Sequence, residues 1–188
     1  MGKNTKINWK NIFIPTIALT VICLVVALLV SMTHTLTADQ IARQHQQALS
    51  NAMGRLIVAE DYEVFLEDEK GNPIIYVAMT EGEIKGHLLI TSYYGYSSYV
   101  EVLTAIYDGV VIGIDIVDAS GETPGLGQNI LHESFINEFE ELTTKPSIVH
   151  HQPTNHGEIQ ALTGATISAH AVVQAVGIAM ELYENSIY

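Results

Sequence analysis

Residues 99–117, YVEVLTAIYDGVVIGIDIV, hold two runs of β-branched, aliphatic and aromatic residues on either side of Asp108-Gly109. A two-residue Asp-Gly link between such runs is a strong hairpin signal, because both residues tolerate the left-handed φ values of a tight turn. The same pattern continues upstream. Residues 64–66 and 74–79 flank Asp68-Glu69-Lys70-Gly71-Asn72-Pro73, and residues 84–92 follow Glu81-Gly82. Downstream the period changes. After a glycine-rich loop at 121–127, a helix of about a dozen residues is expected, with Ile130, Leu131, Phe135, Phe139 and Leu142 inward. Residues 145–157 are polar, contain Pro146 and Pro153, and read as a long loop. A last helix is expected at 166–183, burying Val172, Val173, Val176, Ala179, Met180 and Tyr183. Strands grouped first and helices later predict an α+β domain of antiparallel strands with packed helices, not a doubly wound parallel sheet.

The N-terminal third follows other rules. Residues 12–30, IFIPTIALTVICLVVALLV, are uncharged and mostly apolar. Such a run spans a bilayer core at about 1.5 Å per residue. Pro15 is expected in the first helical turn, where a missing N–H is tolerated. Lys3, Lys6 and Lys10 precede the run, Trp9 suits an interfacial anchor, and the next cation is Arg43. The expected arrangement is a cytoplasmic segment 1–11, a transmembrane helix 12–31, a helical stalk 32–60 and an extracytoplasmic domain 61–188, in a bacterial cell membrane. A cleaved signal peptide shares the basic start and apolar middle, but this run is longer than a usual signal core. SMTHT after it also offers no small-x-small cleavage site. Both readings export the domain. Thr37 is expected to cap the stalk, with Ile41, His45, Ala48, Leu49, Ala52, Met53 and Leu56 on its packed face.

Charge and cysteine usage exclude several functions. The 188 residues carry a formal charge of −13. All 21 acids and five of the eight cations follow the apolar run, so the exported segment carries −16. Such a field repels phosphate backbones and argues against a nucleic-acid partner. The lone cysteine, Cys23, lies within the apolar run. An intrachain disulfide and a cysteine-held iron–sulfur cluster are thereby excluded, and any redox chemistry needs a cofactor held by other atoms.

Two short motifs stand out. Thr163-Gly164-Ala165-Thr166-Ile167-Ser168 enters the last helix. A helix N-terminus offers unpaired N–H groups and a positive dipole end to a phosphate, and small residues let a bulky group approach. Taken alone, a Thr or Ser there is an ordinary N-cap. Gly121-Glu122-Thr123-Pro124-Gly125-Leu126-Gly127 is, taken alone, a tight turn with Pro124 and Gly125 at its two centres. It fails as a dinucleotide fingerprint, since Ile130 stands where the third glycine belongs.

As an ordered pair the motifs carry more weight. From Tyr94 to about Tyr183 the chain resembles the FMN-binding domain family found in RnfG, the G subunit of the Rnf electron-transport complex, and in the C subunit of the sodium-pumping NADH–quinone reductase. The shared features are Gly95-Tyr96, the Asp108-Gly109 turn, residues 122–127 and residues 163–166. The resemblance implies FMN joined by a phosphoester to Thr166, attached by a separate flavin transferase. Thr163, Gly164 and Ala165 would shape the attachment turn, Ser168 would supply a further hydroxyl to the cofactor, and Glu122, Thr123, Leu126 and Gly127 would form part of the flavin wall. It further implies an electron-transfer subunit, not catalytic alone, of a complex coupling ferredoxin–NAD electron transfer to Na⁺ or H⁺ translocation, with the other Rnf subunits as partners. The chain departs from the family pattern at Ser120, at Ser97-Ser98 and at Gln160, where His, Gly-Gly and Asp are usual.

Two other functions fit the same residues: a stand-alone exported flavoprotein serving an external acceptor, and a non-flavinylated assembly module, which Gln160 motivates. His150, His151 and His156 form a loop cluster whose acidic support is limited to Glu158, and they read as surface residues rather than metal ligands. His132 and His170 read as surface or capping residues of helices. Tyr93, Tyr94, Tyr96 and Tyr99 could flank an aromatic ring, with at least half of them ordinary strand-face residues.

Overall fold

A computed structural model describes residues 9–187; Lys3, Lys6 and most of the segment 1–11 lie outside the described residues. The first helix, α1, spans Trp9–Leu56. The chain divides into two compact units between Gln44 and His45. In the first unit every large apolar side chain of residues 12–30 is exposed, and α1 is long and apolar enough to cross a membrane. Thr16, Thr20 and Thr33 donate back to the carbonyls of Ile12, Thr16 and Leu29, so their hydroxyls need no water. Two expectations fail here. Pro15 lies inside α1, because the helix starts at Trp9, upstream of the apolar run. Thr37 caps nothing. It too lies inside α1 and bonds back to the Thr33 and His34 carbonyls, since no Gly or Pro separates the apolar run from the amphipathic one.

The second unit is built on a five-stranded antiparallel meander, β1 (Asp61–Glu67), β2 (Pro73–Thr80), β3 (Glu83–Tyr94), β4 (Tyr99–Tyr107) and β5 (Val110–Asp118), in that spatial order. Asp108 and Gly109 take φ of 51° and 77°, the positive pair of a type I′ turn, whose twist matches that of the strands. The two faces of the sheet bury different partners, as period-2 alternation requires. Leu88, Leu103 and Ala105 pack with Ala52, Met53 and Ile57 from the end of α1 and the residue beyond it. The expected stalk, residues 32–60, therefore contributes its last turns to the core of this unit, while Ile41 is exposed. His45 to Glu101 at 2.9 Å and Arg55 to Asp115 pin the same segment to the sheet. Leu89, Val100, Val102 and Ile106 belong to the other core cluster, with the last helix, α3 (Thr166–Ile187).

Between β5 and α3 the chain runs through a 3-10 turn at Gly127–Leu131, a single helical turn α2 (Glu133–Ile136), a second 3-10 turn at Asn137–Phe139, and strands β6 (Ser147–Val149) and β7 (Glu158–Gln160). The expected dozen-residue helix is thus broken into pieces. His132 adopts extended backbone (φ −72°, ψ 135°), and the interruption keeps Ile130, Phe135, Phe139 and Leu142 buried but leaves Leu131 in solvent. The loop expected at 145–157 contains β6, which pairs in parallel with β7. α3 buries the whole expected stripe. Thr91 of β3 bonds to its Ala175 carbonyl at 2.9 Å. His87, enclosed edge-on by Phe65 and Tyr183, has its pKa lowered by burial.

Candidate functional site

The turn that leads into Thr166 forms for local reasons. Gly164 takes φ +78°, and the Ala165 N–H bonds the Leu162 carbonyl at 3.0 Å, closing a turn that delivers the chain into α3 at Thr166. The Ala169 N–H returns to the Ala165 carbonyl as the first α-helical donor, so the N–H groups of Thr166, Ile167 and Ser168 come before it and have no carbonyl one turn back within the helix. Thr166 Oγ1 is exposed, with a long 3.5 Å contact to the Leu162 carbonyl. The second motif closes as a turn as well: the Leu126 N–H bonds the Thr123 carbonyl, and Gly125 has φ +75°. Each turn also gives residues to the site, Thr123 and Leu126 from one and Gly164 and Ala165 from the other.

Both motifs open on one cavity of about 460 Å³, lined by Tyr96, Thr123, Leu126, Gly127, Gly164, Ala165, Thr166, Ile167 and Ser168. A Cβ on Gly164 would lie 3.1 Å from Leu126, which shows how closely the two loops meet. Tyr96 (64% exposed), Leu126 (49%) and Ile167 (53%) offer apolar surface around the opening.

Glu122 does something other than form a wall. It is 1% exposed and does not line the cavity. Its Oε1 accepts the backbone N–H groups of Tyr96 (2.9 Å) and Ser97 (3.2 Å), and its Oε2 accepts the Ser168 hydroxyl at 2.5 Å. One carboxylate therefore ties the β3–β4 turn, the 121–127 loop and the first turn of α3 together. Room for it comes from two glycines: a Cβ at Gly95 would sit 2.5 Å from Oε1, and one at Gly127 2.9 Å from Oε2.

The structure brings Thr123, Leu126, Gly127, Gly164, Ala165, Thr166 and Ser168 together around the cavity; Thr163 is exposed and outside the lining. Of the four tyrosines, Tyr96 reaches the cavity. Tyr93 packs edge-on against His170, and Tyr94 against Tyr99. Ile167 is a lining residue that the sequence conceals, because an apolar residue at the second position of a helix looks like core. The departures from the family pattern cost no backbone geometry. Neither Ser97 nor Ser98 has positive φ, and the Gln160 N–H is held by Glu138. Among the described residues no three metal-ligating side chains converge; His151 bonds the Gln152 carbonyl.

The donor set fits FMN. The Thr123, Thr166 and Ser168 hydroxyls and helix amides suit a phosphate and a polyol, the apolar rim suits a flat ring, and the volume lies in the usual range for small-molecule sites. The sheet, the covering helix and this cavity define an FMN-binding class of domain, and the FMN-binding domain family model matches residues 95–181. The RnfG N-terminal region model matches residues 1–56. The G subunit of the Na⁺-translocating ferredoxin:NAD⁺ oxidoreductase complex of Acetobacterium woodii is 32% identical, over 97% of each chain. The G subunit of the proton-translocating ferredoxin:NAD⁺ oxidoreductase complex of Clostridium ljungdahlii is 31% identical, covering 92% of this chain and 91% of that one. The chain belongs to the RnfG family, the G subunits of Rnf complexes. The C subunit of the Na⁺-translocating NADH–quinone reductase of Parabacteroides distasonis shares the fold, at TM-score 0.50 and 20% identity over 58% of this chain and 60% of that one.

Proposed function

We propose that this protein carries one FMN as a phosphoester on Thr166 and serves as an electron-transfer subunit of a membrane complex that links ferredoxin–NAD electron transfer to ion movement. The observation that carries the reading is the position of the Thr166 hydroxyl: exposed, on the cavity, and beside the first amides of α3. An ester at that oxygen leaves the flavin ring free to exchange electrons, which is the chemistry the bound group supplies. The chain's own residues hold and orient it. The amides of α3 face the remaining phosphate charge, which an acidic domain would otherwise repel. Tyr96, Leu126 and Ile167 offer the ring an apolar surface.

Formation of the ester balances with an activated donor. The Thr166 oxygen loses its proton and bonds to the FMN phosphorus, and the phosphoanhydride bond of a flavin dinucleotide breaks to release the nucleotide as the leaving group. A flavin transferase would supply the base and hold the donor.

Residues 12–31 would cross the membrane, with 1–11 on the cytoplasmic side and the second unit outside, as the three lysines before the run favour. The other subunits of the complex would be its partners. The coupling ion belongs to the complex, since relatives of similar identity are named for sodium in one case and protons in the other.

The test is intact-mass analysis of the chain co-expressed with its transferase. The expected mass gain is one FMN less one water, with in-gel fluorescence after denaturation, and Thr166→Val abolishes both. An unmodified wild-type chain, or modification that survives the substitution, sinks the assignment.

A further inference from the structure

The hydrogen of the Ser168 hydroxyl is already spent. It points to Glu122 Oε2 at 2.5 Å, and both residues are 1% exposed, yet Ser168 also lines the cavity. A serine has one hydrogen to donate and two lone pairs to accept with. Glu122 cannot release it cheaply, because its other oxygen is held by the Tyr96 and Ser97 amides and its position is boxed in by Gly95 and Gly127. Toward the cavity, Ser168 is an acceptor.

We propose that the Glu122–Ser168 pair is a polyol acceptor that recognises the ribityl chain of the flavin. The inference rests on the FMN reading above. A phosphate ester has oxygens only and nothing to give an acceptor, and the nearby carboxylate repels it, so the phosphate is left to the amides around Thr166. The ribityl chain follows the phosphate directly, carries hydroxyl hydrogens, and meets Ser168 two residues beyond the attachment point. The flavin ring lies past the polyol, toward the apolar rim. Ser168 is thus a binding residue for the sugar-like segment, and Glu122 a positioning residue that acts through it by fixing the direction of its hydrogen.

The experiment titrates the full-length chain in detergent, prepared without transferase, against three ligands by flavin fluorescence. Riboflavin carries the polyol and no phosphate, lumiflavin the ring alone, and FMN both. The wild-type chain binds riboflavin at least about tenfold more tightly than lumiflavin, the effect of one hydrogen bond to a charge-backed acceptor. Ser168→Ala reduces that preference to near unity while leaving lumiflavin affinity unchanged. Glu122→Gln tests the direction of the hydrogen. The amide can donate to Ser168, whose hydrogen then turns into the cavity, and the negative charge is gone. The affinity of FMN relative to riboflavin rises about tenfold, a change that mere loosening of the fold would not produce.

An undiminished riboflavin preference in Ser168→Ala, or an unchanged ratio in Glu122→Gln, overturns the proposal. So does a wild-type chain that binds no riboflavin. If Ser168→Ala loses its helical circular dichroism, Glu122→Gln decides alone. Failure here is separable from failure of the FMN reading, which is judged by the mass at Thr166.

Discussion

Gly127 stands where any side chain would collide with the Glu122–Ser168 pair. A Cβ there would lie 2.9 Å from Glu122 Oε2, 3.1 Å from Glu122 Cβ and 3.1 Å from Ser168 Oγ. None of these atoms is the loose end of a flexible chain, since the carboxylate is bonded at both oxygens. Gly127→Ala must therefore push Glu122 away from the Tyr96 amide or Ser168 away from the cavity. Overpacking of this kind destabilises by about 1–3 kcal/mol. The expected result is a lower urea midpoint with unchanged m-value, together with slower flavin incorporation; an alanine variant matching wild type in both would show that the brace is not rigid. Gly125, two residues earlier, has open space around its Cβ position and is constrained by φ alone. At this scale the sequence discloses which residues meet but not which way each one faces. Glu122 reads as a loop acid among glycines, and its inward turn depends on the Tyr96 and Ser97 amides, which lie between β3 and β4 and far back along the chain.

At the scale of elements, legibility tracks the strength of the local signal. The meander, the Asp108-Gly109 turn and α3 follow from period and turn chemistry. The stretch after the 121–127 loop looks like one helix of about a dozen residues because Ile130, Phe135, Phe139 and Leu142 fit helical spacing closely enough. The extended His132 that breaks it has no local cause in the sequence. It accompanies docking of the segment on the sheet edge, where Val111 exchanges hydrogen bonds with residues 141 and 142. The β6–β7 connection shows another local rule. Glu158 accepts the Thr154 amide and the Asn155 side-chain amide, with further bonds from the Asn155 amide and the Thr154 hydroxyl. These bonds, the Thr154 amide first, lower its pKa from 4.5 to about 2. A depressed carboxylate pKa means the folded loop binds its proton less readily than the unfolded chain. The contribution to loop stability is whole above about pH 4.5 and fades as pH falls toward 2. Amide exchange at Thr154 and Asn155 should accelerate across that window, and Glu158→Gln should remove the dependence. Exchange that is flat with pH in the wild-type loop, after correction for intrinsic rates, would refute the linkage.

The molecule as a whole combines two solvents in one chain, and α1 serves both. Its first part is apolar on every side, as a lipid-facing helix must be, whereas its end is amphipathic and supplies core to the second unit. Composition shows the first role plainly and hides the second, because a stalk and a core helix carry the same periodic stripe. The difference shows in where the chain can be cut. A chain beginning at His45 keeps Ala52, Met53 and Ile57 over Leu88, Leu103 and Ala105, along with the His45–Glu101 hydrogen bond and the Arg55–Asp115 ion pair to the sheet. A chain beginning at Asp61 keeps every strand yet strips that face. Met53 and Ile57 alone contribute about 3–6 kcal/mol of burial, comparable to the whole stability of a small domain. The His45 version should be monomeric by size exclusion and unfold in one cooperative step. The Asp61 version should aggregate or melt without cooperativity, although every residue of the cavity is present in it. Equal stability of the two would mean that the sheet face tolerates water, and that the last turns of α1 are a spacer after all.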